Sequence, residues 1–151
     1  MPIPILGLYE AHLTVADLDR SIGFYGEVMG FPLAHRVPAR RAAFLWTPRR
    51  EDGMLGLWEI GSSPVFIRSH LAFRVALDDL RALLSILRGR GLTPTAFGRE
   101  IDEPEVLAWM PAASVYVDDP DGHSVEFIAL LPGPGRPDLG RLPLSRFVAA
   151  G

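Results

Sequence analysis

Apolar and polar residues alternate along this chain in short runs, interrupted twice by a longer run with helical spacing. In LYEAHLTV at 8–15, Leu13 and Val15 share one face while Glu10, His12 and Thr14 take the other, as in a strand with one buried side. Asp17 is an N-cap candidate, and Leu18, Ile22, Tyr25 and Met29 fall at helical spacing before Gly30. Three strand candidates follow at 33–37, 42–47 and 54–60, the last two joined by the charged turn PRREDG. In the third, Gly56, Trp58 and Ile60 lie on one face and Leu55, Leu57 and Glu59 on the other.

After a short connection at 61–68 the same order begins again. SHLAFRV at 69–75 parallels AHLTV at 11–15, with Leu71, Phe73 and Val75 on one face and His70 opposite. Asp78 is a cap candidate for a helix whose apolar stripe is Leu80, Leu83, Leu84 and Leu87, ended by Gly89 and Gly91. Residues 93–99 predict a strand, and 100–113 a long loop with an apolar patch, a candidate lid or interface segment. The half closes on SVYVDDPDGHSVEFIAL at 114–130, a hairpin whose turn uses the fixed φ of Pro120 and the permissive φ of Gly122. Glu126 points away from the face shared by Val125 and Phe127. A carboxylate in so apolar a strand is costly without a partner. Residues 132–151, rich in Pro and Gly, predict a coil tail. The pattern predicts an α+β fold: a single domain over 8–131, with a strand–helix–three-strand module at about 8–61, a second at about 69–131, and the tail beyond.

With 151 residues, 48% of them hydrophobic, the chain can bury a substantial core. A net charge of −3 and a pI near 5.8 exclude a basic nucleic-acid footprint. No apolar run is long enough to cross a bilayer and no leader opens the chain, so a cytoplasmic protein is expected. The absence of cysteine excludes disulfides, thiolate metal sites and a Cys nucleophile, leaving His, Asp and Glu to hold any metal.

Each half offers one His in its first strand and one Glu in its last: His12 with Glu59, and His70 with Glu126. Taken singly, each has an ordinary structural role. If the halves pair about a pseudo-twofold axis, the four converge, and two imidazoles with two carboxylates suit Zn, Ni, Co, Mn or Fe(II). Arg74 shares a face with His70 and would reach an anionic substrate or form a rim salt bridge. Trp46 and Tyr116 are candidates to line a pocket or simply to fill the core. His35 lies outside the equivalent positions, and His123, at the turn, is expected to be solvated.

The segments AHLTVADLDRSIGFYGEVMGF, SHLAFRV and DPDGHSVEFI resemble the vicinal oxygen chelate superfamily, which includes glyoxalase I, bleomycin-resistance proteins, fosfomycin-modifying enzymes and extradiol dioxygenases. The resemblance covers residues 8 to about 131. It implies two βαβββ modules forming a cupped mixed sheet around a divalent metal, with helices on the outer face. By position, His12, His70 and Glu126 match the commonest ligands, and Glu59 a fourth seen in glyoxalase I-like members. It further implies a homodimer acting on a small oxygen-rich substrate, with Glu59 or Glu126 moving a proton and a thiol as candidate cosubstrate. Glyoxalase I-like isomerisation is the first expectation. An extradiol-type dioxygenase, a fosfomycin-type thiol transferase and a non-catalytic drug- or metabolite-binding protein are the alternatives.

Overall fold

The computed structural model describes residues 8–61 and 67–150. The chain divides into two compact units: one runs to Ser69 and includes Asp119–Gly122, the other takes His70–Asp118 and the chain from His123 onward. The fold is mixed α+β, with one sheet in each unit built on a βαβββ order.

In the first unit β1 (Glu10–Val15) runs parallel to β4 (Met54–Glu59), and β3 (Ala42–Trp46) and β2 (Leu33–Val37) continue the sheet antiparallel, in the order β1-β4-β3-β2. Asp17 caps α1 (Leu18–Gly23), its Oδ1 accepting from the Arg20 backbone N–H at 2.9 Å. The helix expected to run to Met29 keeps α geometry only to Gly23, then widens into a π-helical turn at Phe24–Val28. Glycines at 23 and 26 weaken the α form there. The wider turn carries Tyr25 inward, where it is fully buried, and the Phe31 N–H donates back to the Tyr25 carbonyl at 3.0 Å. Leu13, Val15, Ala43, Leu45, Leu55 and Leu57 form the buried face under α1. The other face presents Glu10, His12, Phe44, Gly56 and Trp58.

In the second unit β5 (His70–Arg74) runs parallel to β10 (Ser124–Leu130), which pairs antiparallel with β9 (Ala112–Asp118). α2 (Leu77–Gly89) begins one residue before the expected cap: Ala76 holds the N-cap position, and Asp78 joins Asp79 in the first turn, where negative charge suits the helix dipole. Leu80, Leu84 and Leu87 bury against β9 and β10. The strand expected at 93–99 is two strands, β6 (Thr95–Ala96) and β7 (Arg99–Glu100), folded back on each other. The expected loop at 100–113 holds β8 (Glu105–Leu107), paired with β9; of its apolar patch Val106 and Ala108 are fully buried, while Trp109 is exposed.

The C-terminal residues expected as coil form β11 (Arg141–Pro143), antiparallel to β8, and α3 (Leu144–Ala149). Backbone bonds fasten them: Arg136 N–H to the Ala108 carbonyl at 2.7 Å and Leu144 N–H to the Pro104 carbonyl at 2.9 Å. A three-residue strand is too short to show alternation, which is why it does not stand out in the sequence. His123 also departs from expectation. It is fully buried rather than solvated, because it lies at the foot of β10 and not at the tip of the turn. Among the described residues no helix is long and apolar enough to cross a membrane.

Candidate functional site

The second unit builds the clearer half of the site. Glu126 and His70 sit on the face of their sheet opposite α2, one step apart across the parallel β5–β10 pair: His70 pairs with Ser124 and Ala72 with Glu126. His70 Nε2 is 3.0 Å from Glu126 Oε2, and its Nδ1 is 3.3 Å from Ser124 Oγ. The imidazole is about half exposed, while the Glu126 side chain is only 6% exposed. Glu126 Oε1 is buried without a hydrogen-bond partner, an expensive state for a carboxylate oxygen. Arg74 lies four residues beyond His70 on the same face and is exposed.

Tyr116 is the cross-strand partner of Glu126, and its ring is 5.9 Å from that of His70. Its hydroxyl is close enough to feel the carboxylate, although Oε1 accepts no hydrogen bond. Burial first, and the Glu126 carboxylate next, push this phenol up to about 12. Tyrosine ordinarily titrates near ~10, so the folded chain holds this proton more tightly than the unfolded chain does. The stability it contributes is complete below pH ~10 and is lost as pH rises toward about 12. Tyr25 is pushed up more strongly, by burial and by Asp119, and adds with the same sign. Urea unfolding across this range should show falling stability, with a shallower fall in Tyr116→Phe. Equal slopes in the two proteins would remove the assignment.

The first unit arranges its residues differently. His12 Nε2 meets Glu10 Oε1 at 2.6 Å, and the Trp58 indole N–H donates to His12 Nδ1 at 3.1 Å. Because the indole can only donate, Nδ1 must carry the lone pair and Nε2 the proton. The ring lies over Gly56, where a Cβ would come within 2.7 Å of His12 Cδ2. Phe44 stands edge-on to His12 at 6.0 Å, and the Arg40 guanidinium sits 5.6 Å from the Trp58 ring. Trp46 is half-buried on the same face, one alternate position along β3 from Phe44.

Glu59 and His12 are not brought together. Val15 is the register partner of Glu59, which puts that carboxylate on the buried side of the sheet at the start of α1. There Glu59 accepts from Arg41 Nη1 at 2.7 Å and from the Leu18 N–H at 3.3 Å. Counting back from Val15 and Val75 along the equivalent strands, His12 matches Ala72, Glu10 matches His70, and Gly56, opposite His12, matches Glu126. The two halves repeat in topology, then, with their chemical side chains displaced by two residues. Glu10 holds the strand position equivalent to that of His70. Its signal was its place five residues before Val15, the same interval as His70 before Val75.

The second unit fits a divalent ion: a buried carboxylate with one unpartnered oxygen stands beside an imidazole whose Nδ1 can donate to Ser124 and free Nε2. The first unit fits less well, since His12 in this arrangement has both ring nitrogens engaged. Among the described residues no group of three or more His, Asp or Glu side chains is gathered as a metal cluster.

Two βαβββ units with a His–Glu pair across parallel strands define the glyoxalase type of fold. The model for the Glyoxalase/Bleomycin resistance protein/Dioxygenase superfamily matches residues 7–127, and the chain belongs to that superfamily. Among solved structures, an integron cassette protein from the mobile metagenome of the Halifax Harbour sewage outfall is 35% identical, over 83% of this chain and 100% of that one, with a TM-score of 0.73. The lactoylglutathione lyase of Agrobacterium tumefaciens shares the fold at 21% identity, over 84% of this chain and 96% of that one, with a TM-score of 0.69. The oxidase ChaP-H2 does so at 20% identity, over 87% and 98%, with a TM-score of 0.63.

Proposed function

We propose that the chain is a metal-dependent enzyme acting on a small molecule with two neighbouring oxygens, with His70 and Glu126 as its principal ligands. The observation that carries this is the unpartnered, buried Oε1 of Glu126 beside His70. A charge left in that state needs a cation or a proton to offset its desolvation. Glu59, with Arg41 and the Leu18 amide on its oxygens, is left out of the ligand set.

A bound divalent ion would supply Lewis acidity toward the paired substrate oxygens and lower the energy of an enediolate-type anion. The protein supplies the rest. Glu126 holds an oxygen ready to accept a proton, and the high-titrating Tyr116 stays protonated at neutral pH as a donor. Hemithioacetal isomerisation of the lactoylglutathione lyase kind is the first reaction to assay. The position of Glu59 favours a three-ligand site over a four-ligand one, which brings extradiol-type oxygenation and thiol transfer close behind.

The test is divalent-ion uptake by the purified chain, followed by assays of methylglyoxal loss with several thiols and of oxygen consumption. Uptake near one equivalent, lost in His70→Ala, supports the reading. Absence of uptake with Zn, Ni, Co, Mn and Fe(II) would leave a small-molecule binding protein in its place. Gel filtration in the same preparation tests the accompanying proposal of a homodimer.

A further inference from the structure

His12 and His70 lie on corresponding first strands, yet their surroundings differ. The first-unit position that matches Glu126 is Gly56, which offers no side chain. The His12 ring fills that opening: a Cβ on Gly56 would stand 2.7 Å from His12 Cδ2 and 3.0 Å from Nε2. Phe44 and Trp58 approach the imidazole at 6.0 and 5.8 Å and meet each other edge-on at 6.3 Å, so the ring is packed as well as bonded. Its two nitrogens are used in one direction. The Trp58 indole N–H donates to Nδ1 at 3.1 Å, which leaves the proton on Nε2, and Nε2 meets Glu10 Oε1 at 2.6 Å. Each bond polarises the next along such a chain, which here ends on a carboxylate. Glu10 Oε2 makes no hydrogen bond among the described residues.

We propose that His12 is a positioning residue and not an ion ligand. It relays hydrogen bonding from Trp58 to Glu10 and holds that carboxylate with one oxygen left to accept from a ligand. An ion on Nδ1 would displace the Trp58 N–H, and one on Nε2 would displace the proton directed at Glu10. The relay belongs to the first unit alone. Only its contrast with His70 rests on the proposed reading of the second unit as the ion site.

The test is nitrogen NMR of the full chain, read beside cobalt titration. Trp58→Phe identifies the Trp58 indole signal among those of the three tryptophans. In the unaltered chain His12 should show a bare Nδ1 and a protonated Nε2. His12→Leu fills the space but neither accepts nor donates. Its Trp58 indole N–H should move upfield and exchange about tenfold faster, the scale of one lost hydrogen bond. Gly56→Ala should reproduce that change by pushing the imidazole aside. His12→Gln carries both an acceptor and a donor and should restore the Trp58 signal. A proton on Nδ1, an unmoved Trp58 signal in His12→Leu or Gly56→Ala, or no recovery in His12→Gln overturns the relay. In cobalt titration, His12→Gln should keep the affinity and the visible spectrum of the unaltered chain. Loss even of a residue one step removed from an ion costs about tenfold or more, so a drop of that size in His12→Gln, or an altered spectrum, makes His12 a ligand and overturns the proposal. Absence of cobalt uptake by the unaltered chain sinks the ion reading alone, and the NMR outcomes still decide the relay.

Discussion

Glu126→Leu should stabilise the metal-free protein by about 1–3 kcal/mol while abolishing its affinity for divalent ions. The side chain is 6% exposed, and one of its carboxylate oxygens has no partner. Its contact with His70 returns little, because that imidazole is half exposed and screened. A leucine of similar volume removes the buried charge and adds apolar contact with the neighbouring strands, while His70 rehydrates at little cost. Urea unfolding measures the first half of the expectation and cobalt titration the second, with Glu126→Gln as the control that keeps shape and loses charge. A leucine variant that unfolds at lower urea, or still takes up metal, would show that the carboxylate is there for the fold and not for a ligand. The proposed role sets stability against ligand binding at this position, as is common where a site is built before its ligand arrives.

Tyr25→Ala should cost about 3–5 kcal/mol, a large part of the stability a domain of this size has. The ring is fully buried, lies parallel to Phe31 at 6.4 Å and stands edge-on to Phe24 at 5.1 Å. Its hydroxyl donates to Asp119 Oδ2 at 3.0 Å, and Asp119 Oδ1 accepts from the Asp121 N–H at 2.9 Å. Tyr25→Phe keeps the ring and removes only that bond, so its cost should be about 1–3 kcal/mol. Chemical denaturation of the two variants separates packing from hydrogen bonding. Equal losses in both would mean that the hydroxyl, and not the ring, holds the turn at Asp119–Gly122. Arg20 supports the same turn through Asp121 at 2.7 Å.

What the sequence disclosed and what it withheld follow from the range of each signal. Period-two alternation placed β1, β2, β3 and β4 within a residue or two, because one buried face imposes it over five or six positions. It failed at β6, β7, β8 and β11, each of two or three residues, where pairing partners and not local pattern decide the conformation. The π-helical turn escaped for a related reason: Leu18, Ile22, Tyr25 and Met29 satisfy the α period, and only the depth of Tyr25 shows that the helix had widened. At the site, parity already put Glu59 with Leu55 and Leu57, and the register with Val15 places it on that face. His70 and Glu126 could be paired from their strands alone. The Glu10–His12–Trp58 arrangement could not, because the matching of AH with SH hid the two-residue offset between halves.

β11 has one further bearing, on solubility. Without it, β8 would present an unpaired row of backbone N–H and C=O groups at the margin of its sheet, a template on which another chain can add a strand. The covering strand is short and ends in Pro143, which has no N–H to offer a newcomer. The stretch that carries β11 therefore caps the growth of the sheet as well as shaping it, and cutting it away would invite aggregation before any loss of chemistry could be measured.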